Sequence, residues 1–165
     1  MKLKRLTRNA LLTGLALIIF IIEMLLPGLS PVPGLKLGLS NIITVFAVFA
    51  LSPADATMIL AARILLGTFI SGNLSALMYS AAGGAMCLIA MLLLKRLLTE
   101  KQIWAASVVG AIFHNLGQVL TAMAIAKTPA LITYLPLLTA GGMLAGLFTG
   151  LCAQYTVNFI TKGAN

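Results

Sequence analysis

Residues 31–41 read PVPGLKLGLSN. Three polar or charged groups, Lys36, Ser40 and Asn41, stand there between two long apolar runs. Pro31, Pro33, Gly34 and Gly38 surround the lysine and forbid a straight helix through it. Proline fixes its own φ and restrains the residue before it, and glycine admits bends that other residues resist. Pro27 to Gly34 therefore reads as a tight, ordered loop, with Gly38 in the first turn of the next helix. A cation at the mouth of so apolar a chain needs a reason.

Working outward, the chain has 165 residues, 61% of them hydrophobic and 8% charged. Soluble domains carry about 25% charged residues. The composition is that of an integral membrane protein with no room for a soluble domain. The net charge of +8 would suggest nucleic acid in a soluble chain. Here the basic residues stand at the ends of apolar runs, so they report topology, and no nucleic-acid partner is expected. Cys87 and Cys152 lie inside apolar runs without metal-ligand spacing, and read as small core residues. The first apolar run spans about 18 residues and reads as a retained helix, not a cleaved leader.

The expected fold is all-α: a bundle of six transmembrane helices in one membrane domain, residues 1–165. The helices are expected at about 6–26, 36–51, 54–69, 74–94, 103–125 and 135–160. The second is short, and the loop before it supplies the missing length. Ser52-Pro53-Ala54-Asp55 is a helix start: Ser52 caps, Pro53 suits the first turn and Asp55 complements the dipole. Six spans place both termini in the cytoplasm of a cell-membrane protein. Lys2, Lys4, Arg5, Arg8, Lys95, Arg96, Lys101 and Lys162 are then inside, and Lys36 and Lys127 outside.

Arg63 is the most informative residue. It lies about 12 Å along its helix from Asp55. An arginine at that depth costs about 2.5–3.5 kcal/mol on insertion scales, so it must face the interior and find an anion or carbonyls. Its partner is Glu23, Asp55 or a ligand; Glu23 is also open to Lys36. A cation left over favours an anionic or carbonyl-rich ligand. His114, Asn115 and Gln118 form one inward polar stripe, which either joins helices or lines a site. Asn73, Tyr79 and Ser80, with Lys36, Asn41, Arg63 and Gln118, would ring an outward-facing pocket. No metal site, no nucleophile–base pair and no paired carboxylates are visible. Small residues recur four apart: Ala10 and Gly14 near the start, and Gly142, Gly146 and Gly150 near the end. Such ridges let helices approach closely, and one on a lipid face is a docking surface.

The short spans, the basic N-terminus and the loop after the first helix resemble the substrate-binding S components of energy-coupling factor transporters. A closer resemblance is to the Gx transporter family, also called heptaprenyl diphosphate synthase component I. It rests on Glu23 with Pro27, PGLKLGLSN (33–41), RILLG (63–67), YSAAGG (79–84) and HNLGQ (114–118). The S-component likeness implies that Ala10 and Gly14 meet a transmembrane coupling protein. It also implies that separate cytoplasmic ATPases use ATP, since this chain has no phosphate loop and no cofactor of its own. The chain would then be the binding subunit of an importer for a small anionic vitamin or precursor. The component I name implies instead a non-catalytic membrane accessory of a soluble polyprenyl diphosphate synthase in quinone synthesis. With a single Asp, the chain lacks the Asp-rich motifs that hold magnesium and diphosphate, and is not that catalyst.

Overall fold

The computed structural model describes residues 2–25 and 38–163. Six α-helices follow one another there: α1 Lys2–Leu25, α2 Asn41–Ala50, α3 Pro53–Ser71, α4 Leu74–Leu94, α5 Ile103–Ala126 and α6 Leu135–Gly163. Short 3-10 segments, Glu100–Gln102 and Pro129–Tyr134, lead into α5 and α6. No strand occurs among the described residues.

All but α2 are long and apolar enough to cross a membrane. Their outer faces say the same: Phe69, Leu144 and Phe159 are 85%, 72% and 71% exposed. Apolar surface on this scale belongs in lipid, and the chain is a multi-pass membrane protein. The short helix differs from the expectation of a start at residue 36. Gly38 is left-handed at φ +81°. Its carbonyl accepts from Asn41 N at 2.9 Å, so the helix begins at Asn41. Ten residues rise only about 15 Å, half of a ~30 Å hydrocarbon core. Lys36 and the loop expected over 27–34 lie outside the described residues.

α5 is the central helix, with its largest interfaces on α4 and α6. Glycines make both close. An added Cβ at Gly146 would stand 2.8 Å from Ala111 Cβ, and one at Gly150 would stand 2.7 Å from Trp104 Cα. Gly142 abuts the Asn115 side chain in the same way. The ridge read from the sequence on α6 is thus a packing seam against α5. Around it Val45, Val48, Ile59 and Met91 form the centre of the apolar core.

One end of the bundle is tied by charge. The Ser52 hydroxyl caps α3 by accepting from Asp55 N at 3.2 Å. Asp55 Oδ1 accepts from Arg5 Nε at 2.6 Å and from Asn9 Nδ2 at 2.6 Å, and its Oδ2 accepts from Arg8 Nη2 at 3.1 Å. This corrects one expected partner of Arg63: Asp55 is taken by α1. Lys95 at the end of α4 donates to the Val48 carbonyl in the last turn of α2, at 2.5 Å. The start of α1, the ends of α2 and α4 and the start of α3 therefore share one basic end. Asp55→Ala should cost about 1–3 kcal/mol, chiefly because buried Asn9 loses its acceptor. Arg5 and Arg8 are half exposed and contribute less. Thermal unfolding of the variant in detergent checks this, and an unchanged midpoint would refute the clamp.

Candidate functional site

The polar interior of the protein gathers where α2 begins. Arg63 sits ten residues into α3, about 15 Å along it, and is 4% exposed. Its Nη1 donates to the Ser40 hydroxyl, and its Nη2 donates to Asn41 Oδ1 at 3.3 Å. Its Nε is buried and has no hydrogen-bond partner. Glu23, near the end of α1, is buried too. One of its carboxylate oxygens accepts from Gly38 N at 2.7 Å. It is also the carboxylate that acts on the Arg63 charge.

Hydrogen bonds carry this cluster across three helices. Arg63 holds the carbonyl oxygen of Asn41, so the amide nitrogen of Asn41 turns to His114 Nδ1, 3.3 Å away. On the other side of the ring, His114 Nε2 lies 3.0 Å from Gln118 Nε2. Which ring nitrogen donates follows from the tautomer. Arg63, Asn41, His114 and Gln118 thus form one hydrogen-bonded run from α3 through α2 into α5.

Two glycines enclose the histidine. An added Cβ at Gly83 of α4 would meet the His114 carbonyl at 2.8 Å, and one at Gly38 would stand 3.2 Å from His114 Nε2. Beside the cluster, between Asn41, Cys87, Ser107 and Thr149, is a cavity of about 10 Å³, room for about one water. Ser107 and Thr149 bond across it at 3.1 Å and join α5 to α6.

Of the residues expected at the site, Glu23, Asn41, Arg63, His114 and Gln118 come together. Asn115 does not join them. One residue on from His114, it points about 100° away, and its Nδ2 donates to the Leu138 carbonyl on α6 at 2.7 Å. The stripe read as one face of α5 is two. Asn73 is exposed and caps α4, accepting from Ser75 N at 2.9 Å and Ala76 N at 3.2 Å. Tyr79 packs against the small core around Val119, Ala122 and Leu138, and Ser80 is half-buried one residue along. Lys36 lies outside the described residues. Ala10 is exposed and Gly14 half-buried, with open space where a Gly14 side chain would be. Sequence reasoning noticed Gly38, Ser40 and Gly83 as a bend, a polar group and a small residue without assigning them to the site, and it missed the Ser107–Thr149 pair. Which groups these residues meet is visible only once helices pack.

Chemically the cluster offers donors and positive charge. Arg63 and the first backbone N–H groups of α2 suit an anion. No hydroxyl stands against a base there, so the described geometry has no nucleophile. Among the described residues, no three His, Cys, Asp or Glu side chains gather as for a metal ion.

Comparison with known proteins agrees with this picture of a membrane subunit. The model of the family described as heptaprenyl diphosphate synthase component I matches residues 12–156. No curated protein matches the chain, and no solved structure does. With all of its described membrane helices reached by that match, the chain belongs to the heptaprenyl diphosphate synthase component I family.

Proposed function

We propose that this chain is the non-catalytic membrane subunit of a polyprenyl diphosphate synthase, and that a soluble catalytic partner works at its basic end. The observation that carries the reading is the gathering of Arg5, Arg8, Lys95 and Arg96 at one end of an otherwise apolar bundle. A synthase that joins diphosphates makes a product with an anionic head and a membrane-seeking tail. A basic rim on an apolar body suits such a product, and the family description supports the assignment. That end faces the cytoplasm in this reading, in keeping with the excess of lysine and arginine there. The test is affinity purification of the tagged chain from native membranes. A prenyl synthase should co-purify, and deletion of the membrane subunit should change its product length. A synthase that neither co-purifies nor changes product would refute the reading.

A second reading is favoured by one observation, the unpartnered Nε of buried Arg63. In it the cluster holds a small anionic ligand, as in an S-component-like importer subunit with a coupling protein and ATPases as partners. Ala10 and Gly14 then form the docking face. Purified protein should bind a small molecule without ATP, detected by native mass spectrometry, and Arg63→Ala should release it. Protein that is empty in both forms would count against this role.

A further inference from the structure

The outer face of α1 carries an open hollow of about 560 Å³, lined by Leu3, Lys4, Thr7, Arg8, Leu11 and Leu12. These residues form two rows at four-residue spacing, so they share one face of the helix. Leu3, Thr7 and Leu11 make the first row, with both leucines exposed. Lys4, Arg8 and Leu12 make the second. Helical side chains lean toward the N-terminus, so both cations tilt toward the basic end of the bundle and Leu11 and Leu12 lie deeper. From Lys4 to Leu12 the helix rises about 12 Å. The hollow therefore runs from the charged edge of the membrane into its hydrocarbon.

Positive charge is in excess at this corner. Arg5 and Arg8 share the single carboxylate of Asp55, and Lys4 has no hydrogen bond or ion pair among the described residues. Three cations against one anion leave two positive charges uncompensated. Arg8 is also held in place. Its Nη2 donates to Asp55 Oδ2 at 3.1 Å and its Nε to Asn9 Oδ1 at 3.4 Å, so its Nη1 is left without a partner among the described residues. Both anchoring residues are buried. A guanidinium fixed in this way loses little freedom when it binds a ligand. We propose that the hollow seats one anionic phospholipid, its phosphate between Lys4 Nζ and Arg8 Nη1 and an acyl chain along Thr7 and Leu11. A zwitterionic lipid would bring its own cation to a corner already two charges in excess, so the seat prefers a head with net negative charge.

The full chain in neutral detergent can be titrated by native mass spectrometry with phosphatidylglycerol and with phosphatidylcholine of the same acyl chains. The first phosphatidylglycerol should bind at least about fivefold more tightly, and Lys4→Gln should weaken it about fivefold, as expected for one cation at the membrane edge. Lys4 has no partner to lose, so the fold is retained. Thr7→Trp keeps every charge but fills the hollow, and should remove the preference too. Lys101→Gln deletes an exposed cation in the α4–α5 connection, outside the hollow, and should leave binding unchanged. Equal affinity for the two lipids would overturn the proposal, as would a preference that survives both Lys4→Gln and Thr7→Trp. An equal loss in Lys101→Gln would also overturn it, by making the attraction a property of the whole basic end. Inorganic phosphate and glycerol phosphate have no chains and should not displace the lipid; displacement by either would make Lys4 and Arg8 a phosphate site and remove the lipid seat.

Discussion

Arg63→Met should lower the unfolding free energy by about 3–5 kcal/mol, the usual range when one member of a buried charge pair is removed. The substitution keeps an apolar side chain of similar length, so cavity formation is a small part of the loss. The larger part is electrostatic. Glu23 is 6% exposed, and without the guanidinium its charge keeps, among the described residues, the neutral Gly38 N–H as its donor. Ser40 and Asn41 lose a charged donor at the same time. Asn41 would then be free to turn its amide and give up its contact with His114 Nδ1. The double variant Glu23→Gln/Arg63→Met should recover part of the stability, giving a coupling of about 1–3 kcal/mol in a double-mutant cycle. SDS unfolding in mixed micelles measures all four corners. Strictly additive single effects would show that Glu23 and Arg63 do not act as a pair.

Gly83→Ala is the second large effect. Its Cβ would stand 2.8 Å from the His114 carbonyl oxygen and 2.9 Å from Gln118 Cγ. The side chain can shift, but the carbonyl belongs to the backbone of α5 and moves only if α4 and α5 part. Overpacking of this kind costs about 1–3 kcal/mol, and the strain falls on the hydrogen-bonded run at His114. Gly14→Ala is the matched control, since nothing lies within 4 Å of the added atom. It should be neutral or stabilise by up to about 1 kcal/mol through helix propensity. If Gly83→Ala unfolds no more readily than Gly14→Ala, the close approach of α4 and α5 is wrong.

Much of this was legible along the chain. Hydropathy marked the long helices, and Ser52-Pro53-Ala54-Asp55 marked the start of α3, because a cap needs only neighbours in sequence. The likeness carried by RILLG, YSAAGG and HNLGQ was borne out by the family match. The inward direction of Arg63 was legible too, since a cation at that depth has no stable place in lipid. Its partners were not. Asp55 was an equal candidate with Glu23 in sequence, yet Asp55 is held by Arg5 and Arg8 some 47–50 residues away. Asn115 looked like part of one stripe because periodicity gives an angle but not the neighbour that occupies it. Leu138 on α6 decided its role.

The sequence by itself determined what depends on composition and local spacing: a membrane protein, its long helices, its capped α3 and a buried arginine. These follow from transfer of side chains between water and lipid and from bonds within one helical turn, which need no tertiary partner. Tertiary structure alone decided which polar groups meet. Gly38 turning left-handed places Asn41 between Arg63 and His114, and Gly83 lets α4 close on α5 around the imidazole. In an apolar interior each polar group takes whichever partner the packing brings within reach, and that partner is set by how whole helices fit together.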